Sequence, residues 1–370
     1  GRTCLQLKKS LYGLSVAPRL WNEHLIAALK AEGFAQSKYD SCLLMKPNMM
    51  MVLYVDDAGI SAKYKKDVDD LIDNLRNRGF ELTREGSFSE FLGIKFVRND
   101  KEGTITATQQ GLIQKIIKTT NMEDSNPNWT PALTTALGID PDGEPMDEEW
   151  SYPSVVGMLL YLSTNTRPDI TMAVSQVARF NHSPKKSHAT AVKMIIRYLK
   201  RTHDKGTVIR PTGTLELDCW VDASFGNLYK VDPDDEPSAA KSREGYIITL
   251  GGCPLLWRSR LQSTIALSTQ EAEYSALSHS MRTLLPIRAV VIELTSALNL
   301  PHHLSATIRS RVFEDNNGAL LLATNQRITS RTKHYLIQWH FFWTHVKDGC
   351  VVVERVSTNL QRADYMTKGM

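Results

Sequence analysis

What the 370-residue chain lacks narrows its class before any motif is considered. It has five cysteines, Cys4, Cys42, Cys219, Cys253 and Cys350, and no two stand in Cys-x-x-Cys spacing. That argues against a thiolate zinc site. A sparse, odd set also argues against a secreted disulfide framework and for a reducing compartment. No apolar run approaches the roughly 20 residues that a membrane span needs. The longest, near Met49 to Val55, has the length of a strand. The opening Gly-Arg-Thr-Cys offers neither the apolar stretch of a signal peptide nor an initiator Met, so the chain reads as a piece of something longer, without a membrane segment. With 42% hydrophobic and 23% charged residues, neither a disordered nor a fibrous chain is expected. At about 150 residues per domain, two or three domains are expected.

Charge is unevenly placed. Residues 211–370 hold 16 Lys/Arg and 16 Asp/Glu, so the whole net charge of +4 lies in residues 1–210. It concentrates in residues 181–210, where Lys185, Lys186, Lys193, Arg197, Lys200, Arg201, Lys205 and Arg210 face one acid, Asp204. A basic helical segment suits a polyanion, because Lys and Arg neutralise phosphates and release counterions. The plainer alternative is a solvated helix face. The acidic run Asp140 to Glu149, broken by Pro141, Gly143 and Pro145, reads as an exposed linker. The stretch from Val231 to Ala240 reads as a surface loop.

Met50 to Val55 is a short apolar strand, followed by Asp56-Asp57-Ala58-Gly59 and then Ile60-Ser61-Ala62. This predicts a hairpin with two carboxylates at its tip. Such a pair is usually turn chemistry, but charge at the edge of a buried sheet is costly, and a divalent cation offsets it. Tyr54-Val55-Asp56-Asp57 resembles the metal-binding tetrapeptide of retroelement reverse transcriptases. The blocks Ser10-Leu11-Tyr12-Gly13-Leu14, Ala17-Pro18-Arg19, Phe91-Leu92-Gly93-Ile94, Thr166-Arg167-Pro168-Asp169-Ile170 and Arg197-Tyr198-Leu199-Lys200 resemble, in order, those of copia-type LTR retrotransposon Pol polyproteins. The resemblance runs from about Leu5 to Lys368. It implies a reverse transcriptase followed by ribonuclease H, an intracellular setting in a cytoplasmic virus-like particle or the nucleus, and association with the rest of a polyprotein or as a dimer.

The polymerase site is expected to be incomplete. Two-metal phosphoryl transfer needs carboxylates from more than one strand, to hold ions about 3.5–4 Å apart. The family's other essential Asp comes from a strand upstream of the Ser-Leu-Tyr-Gly-Leu block. Before Tyr54 this chain has only Glu23, Glu32 and Asp40, none in an apolar strand pattern. Ser15 and Val16 also replace the family's Lys-Gln. Polymerase activity is therefore expected only with the missing part supplied.

Leu112-Ile113 and Ile116-Ile117 recur at helical spacing, Tyr152 to Ser163 reads as a helix, and Pro168 fits the first turn of another reaching Phe180. By resemblance this region is thumb and connection. That implies Arg167, Lys193, Arg197, Lys200 and Arg201 as contacts for the template–primer duplex.

The last 160 residues read as strands Leu215 to Asp222, Gly245 to Leu250 and Ser263 to Leu267, a long helix from Thr269 to Leu298 with a kink at Pro286, a strand Ala306 to Phe313, and a helix from Asn316. A helix Lys333 to Val346, a strand Cys350 to Val356 and a terminal helix Gln361 to Thr367 complete the order. That order is close to a ribonuclease H fold. Asp222, Glu273, Asp315 and Asp364 fall where such a fold would converge four acids around two divalent ions. All-oxygen ligands point to Mg²⁺, with Mn²⁺ as a substitute. Glu271, three residues after Ser268, is assigned to a capping box. Glu314 is expected to point away from Asp315. Lys333 and His334, in Arg331-Thr332-Lys333-His334, resemble a family block whose cations would contact the hybrid backbone.

The expected fold is therefore α/β (α+β). It has a partial reverse-transcriptase palm (residues 1–98), a helical thumb/connection (99–210) and an RNase H-like mixed five-stranded sheet with helices (211–370). The expected activity is cleavage of RNA in RNA–DNA hybrids, at metal ligands Asp222, Glu273, Asp315 and Asp364, with Asp56 and Asp57 as the polymerase ligands. A catalytically inactive retroelement relic, or a nucleic-acid-binding protein without catalysis, is the rival reading.

Overall fold

The structure, a computed structural model, describes residues 10, 11, 13–233, 235–301, 308–325 and 340–369; Lys333 and His334 lie outside them. Contacts divide the chain into two units, residues 1–91 with 289–305 and residues 92–288 with 306–370.

In the first unit, helix Ala17–Ala31 starts with Pro18 in its first turn, where a missing N–H costs nothing. Its stripe of Leu25, Ile26 and Leu29 is buried. Four antiparallel strands follow in sequential order, Ala35–Gln36, Leu43–Lys46, Met49–Tyr54 and Asp57–Ala62. In the third strand Met49, Met51 and Leu53 are buried while Val52 and Tyr54 are exposed, the two-residue period of a sheet with one covered face. These side chains share a core with Leu29, Leu71, Leu75 and Phe80.

In the second unit, helices Gln110–Thr119, Tyr152–Asn165, Thr171–Val177 and Lys186–Arg201 close on a core that includes Ile113, Ile116, Val155, Leu159, Val174, Val192 and Ile196. Pro168–Ile170 is one turn of 3₁₀ helix leading into Thr171–Val177, so the helix start read at Pro168 is present but split.

The same unit carries a five-stranded sheet. Its order across the sheet is Cys253–Leu261, Arg243–Leu250, Leu217–Ser224, Ser310–Glu314 and Val351–Arg355. The first three are antiparallel neighbours, and the last two run parallel to Leu217–Ser224. This mixed order, with the long helix Thr269–Ala297 entering between the third and fourth strands of the chain, is ribonuclease H-like. One strand expectation is corrected. Ser263 to Leu267 forms no strand; the edge strand is Cys253–Leu261. It turns back from Arg243–Leu250 through Gly251 and Gly252, both at positive φ, the geometry that a two-residue hairpin requires. The long helix continues through Pro286. The helical region and the sheet are tied together. Trp257 donates its indole N–H to the Ser163 carbonyl at 2.7 Å, and the buried Arg243 donates to Ser175 at 2.9 Å.

Candidate active site

Asp222 sits near the end of the central strand, where Cys219 to Ala223 are all buried, and it is 3% exposed. Glu273 lies in the first turns of the long helix and is 5% exposed. The start of that helix is set by Ser268, whose hydroxyl accepts from the Glu271 N–H at 3.2 Å, while the Glu271 carboxylate accepts from the Leu267 N–H at 2.8 Å. Glu271 is thus spent on the cap and Glu273, two residues on, turns inward. Asp315 directly follows strand Ser310–Glu314. One ligand oxygen from each of Asp222, Glu273 and Asp315 lies within 4.8 Å of the other two.

Such a cluster is electrostatically unfavourable without a cation. Burial raises the Asp222 pKa; the Thr367 hydroxyl and the Lys368 charge pull it back, and Asp364 and Asp315 push it up. Burial also lifts Glu273 far above the carboxylate range, to about 11, with further pushes from the charges of Glu314, Asp222 and Asp315. The backbone N–H of Ala223 opposes this rise. Oε2 of Glu273 is buried and has no hydrogen-bond partner.

Asp364 is less central. It begins the terminal helix Asp364–Thr367, where Thr367 donates its hydroxyl to Asp222 and Lys368 Nζ lies 2.6 Å from Asp364 Oδ1. Asp364 falls outside the group of three converging carboxylates found among the described residues.

Two supporting residues, Gln361 and Gly245, were missed from sequence, and a third, Glu314, was placed differently. Gln361 donates to the Val221 carbonyl at 2.8 Å and accepts from the Ala363 N–H at 3.2 Å, which pins the terminal helix beside Asp222. Gly245 is the strand partner of Asp222, and a Cβ there would meet Met366 Cβ at 2.3 Å, so only glycine lets the terminal helix lie on the sheet. Glu314, expected to point away from the site, is fully buried; Oε1 accepts from the Asn316 N–H at 3.0 Å and Oε2 has no partner. Burial raises its pKa well above normal, and its charge acts on Glu273. In the fold Glu314 lies on the buried face of its strand with Ser310 and Val312.

Asp56 and Asp57 are exposed at the tip of the hairpin, next to Val55 at φ 53. A β-branched residue in this left-handed region is strained, and the two-residue turn imposes it. Among the described residues no third carboxylate, His or Cys joins the pair. Glu32, an upstream acid, is occupied by Asn74 and Arg78 at 2.9 Å each.

Of the expected nucleic-acid contacts, Arg167 is corrected. Arg167 is 1% exposed; its guanidinium holds Asp169 and the Thr202 carbonyl, and no charge faces solvent for a phosphate. Lys193 pairs with Glu148 at 2.5 Å, Arg197 donates to the Asn126 carbonyl, Lys200 donates to the Ser125 carbonyl, and Arg201 lies 3.1 Å from the Trp129 ring centroid. Lys186 pairs with Glu144 and Asp147. The acidic stretch 140–149 is largely exposed, as expected, and its Glu144, Asp147 and Glu148 pair at the surface with Lys186 and Lys193 of the basic helix. An open cavity of about 370 Å³ does lie beside Asp315, lined by Arg355, Val356, Ser357, Thr358 and Asn359.

The family model described as reverse transcriptase (RNA-dependent DNA polymerase) matches residues 1–134. The chain is 33% identical over 367 residues to the retrovirus-related Pol polyprotein from transposon RE1 of Arabidopsis thaliana, a match covering 98% of this chain and 24% of that protein. Among solved structures, the foamy viral protease-reverse transcriptase in complex with dsDNA superposes with a TM-score of 0.45 at 12% identity, over 94% of this chain and 60% of that one. LC11-RNase H1, isolated from compost, superposes with a TM-score of 0.30 at 13% identity, over 41% of this chain and 93% of that one. The strand order, and not these superpositions, carries the ribonuclease H-like assignment of the sheet. The chain belongs to the retrovirus-related Pol polyproteins of transposons, and joins a reverse transcriptase segment to a ribonuclease H-like fold.

Proposed function

We propose that the second unit is a Mg²⁺-dependent ribonuclease H that cleaves the RNA strand of RNA–DNA hybrids at Asp222, Glu273 and Asp315. The observation that carries this is the convergence of these three carboxylates at low exposure, with Glu273 Oε2 buried and unpartnered. An all-oxygen donor set of this kind fits a hard divalent cation, Mg²⁺ or Mn²⁺. When bound, the cation supplies Lewis-acid polarisation of the phosphate and a hydroxide nucleophile. The protein does the positioning. Ala223 N–H and the Thr367 hydroxyl hold Glu273 and Asp222 in place. Gln361 and Gly245 hold the terminal helix over the strand. Arg355, exposed in the cavity beside Asp315, supplies a cation for the neighbouring phosphodiester.

Asp56 and Asp57 are proposed as part of a polymerase metal site that needs a further carboxylate. Glu32 does not provide it, since its carboxylate is already paired. Polymerisation is therefore not proposed for the residues described.

The test is incubation of the protein with a labelled RNA–DNA hybrid and Mg²⁺. Cleavage is expected, and Asp222→Asn or Asp315→Asn should reduce it by about 10³-fold or more. Cleavage that survives both substitutions refutes the site. Salt-sensitive hybrid binding with no cleavage by the unaltered protein decides for a binding protein without catalysis.

A further inference from the structure

The terminal residues carry a charge that the proposed reaction does not use. Lys368 Nζ is 2.6 Å from Asp364 Oδ1, and the charges of Asp222 and Asp315 also act on it. An exposed lysine four residues after an acid usually contributes only tenths of a kcal/mol on a helix surface. This pair differs in its setting. The helix is a single turn, Lys368 lies beyond its end in extended conformation, and the neighbouring Thr367 hydroxyl is bound to Asp222. The backbone on either side is held. Met366 lies against Gly245, and a Cβ at Gly369 would come within 2.2 Å of the Leu133 carbonyl. Lys368 can therefore leave Asp364 only by rotation of its side chain, which is 52% exposed.

We infer that Lys368 is a resident counter-cation of the carboxylate cluster. Its ammonium occupies Asp364 and keeps it out of the metal set, so one divalent site stands ready and a second opens only when Lys368 swings away. The inference rests on the ribonuclease H reading of Asp222, Glu273 and Asp315. Its consequence is an intramolecular competition. A second ion must displace a tethered ammonium, and incoming phosphate, which attracts that ammonium, lowers the cost of displacement.

The experiment is Mn²⁺ binding to the full chain without nucleic acid, followed by calorimetry and by the electron paramagnetic resonance signal of free Mn²⁺. The unaltered protein is expected to take up one ion tightly and a second weakly. In Lys368→Met the second ion should bind about tenfold more tightly. Lys368→Arg should restore the weak second step, and Lys368→Met combined with Asp364→Asn should abolish it. A Lys368→Met isotherm that superposes on the unaltered one overturns the inference, while loss of the first ion in Asp222→Asn keeps the cluster itself intact as a reading. An Asp222→Asn isotherm that is also unchanged overturns the cluster, and the inference with it.

Discussion

Glu273→Gln is the most direct probe of the electrostatics at this site. The substitution keeps the shape of the side chain and an acceptor oxygen for the Ala223 N–H, and removes the ionisable group. Burial, with the charges of Glu314, Asp222 and Asp315, raises the Glu273 pKa from its ordinary 4.5 to about 11 in the metal-free protein. A raised acid binds its proton more tightly folded than unfolded. Its contribution to stability is complete below the unfolded pKa and is lost steadily as pH rises above about 4.5 toward the folded value. One retained proton corresponds to about 1.4 kcal/mol per pH unit, or about 3 kcal/mol between pH 5 and pH 7. For a unit of this size that is about 6–12 °C in Tm. Calorimetry of the metal-free protein should show Glu273→Gln gaining that much on the unaltered chain across the interval. Adding Mg²⁺ should raise the Tm of the unaltered chain at pH 7 and leave the variant nearly unmoved. Parallel Tm–pH curves for the two proteins would refute the account.

Two further outcomes follow from the packing. Gly245→Ala should destabilise the second unit by about 1–3 kcal/mol and depress hybrid cleavage together with it, because the new methyl displaces Met366 and with it the terminal helix; urea unfolding and a cleavage assay on one preparation check both. Arg167→Met should cost about 1–3 kcal/mol by removing the guanidinium from Asp169, which keeps the Tyr198 hydroxyl, and should leave the salt dependence of hybrid binding unchanged. A reduced salt slope in that variant would restore Arg167 as a phosphate contact.

Much of the fold was readable because its signals are local. The Ser268–Glu271 cap and the apolar stripes of Ile113, Ile116, Val155 and Leu159 each follow from neighbours within a few residues, whereas the strand carrying Asp222, read as half-buried and alternating, is buried on both faces from Cys219 to Ala223. The edge strand Cys253–Leu261 was misplaced although Gly251-Gly252 marked its turn, because the β-branched run near Ser263 to Leu267 competed as a strand and instead leads into the helix cap. The charge of the basic helix was readable in amount, and its neighbours in the fold were not. Its partners, Glu144, Glu148, Asn126 and Ser125, lie 40 or more residues away, and no local pattern reports such a pairing.

The sequence by itself determined which residues hold carboxylates at the ends of strands and in the first turns of a helix, since periodicity and capping are properties of adjacent residues. Only the tertiary structure decided how those acids sort. It brings Asp222, Glu273 and Asp315 within one ligand sphere, draws Glu314 into the same buried field, and leaves Asp364 to Lys368. Strand pairing, the bare surface of Gly245 and the anchoring of Gln361 set those distances, and each joins residues far apart in the chain.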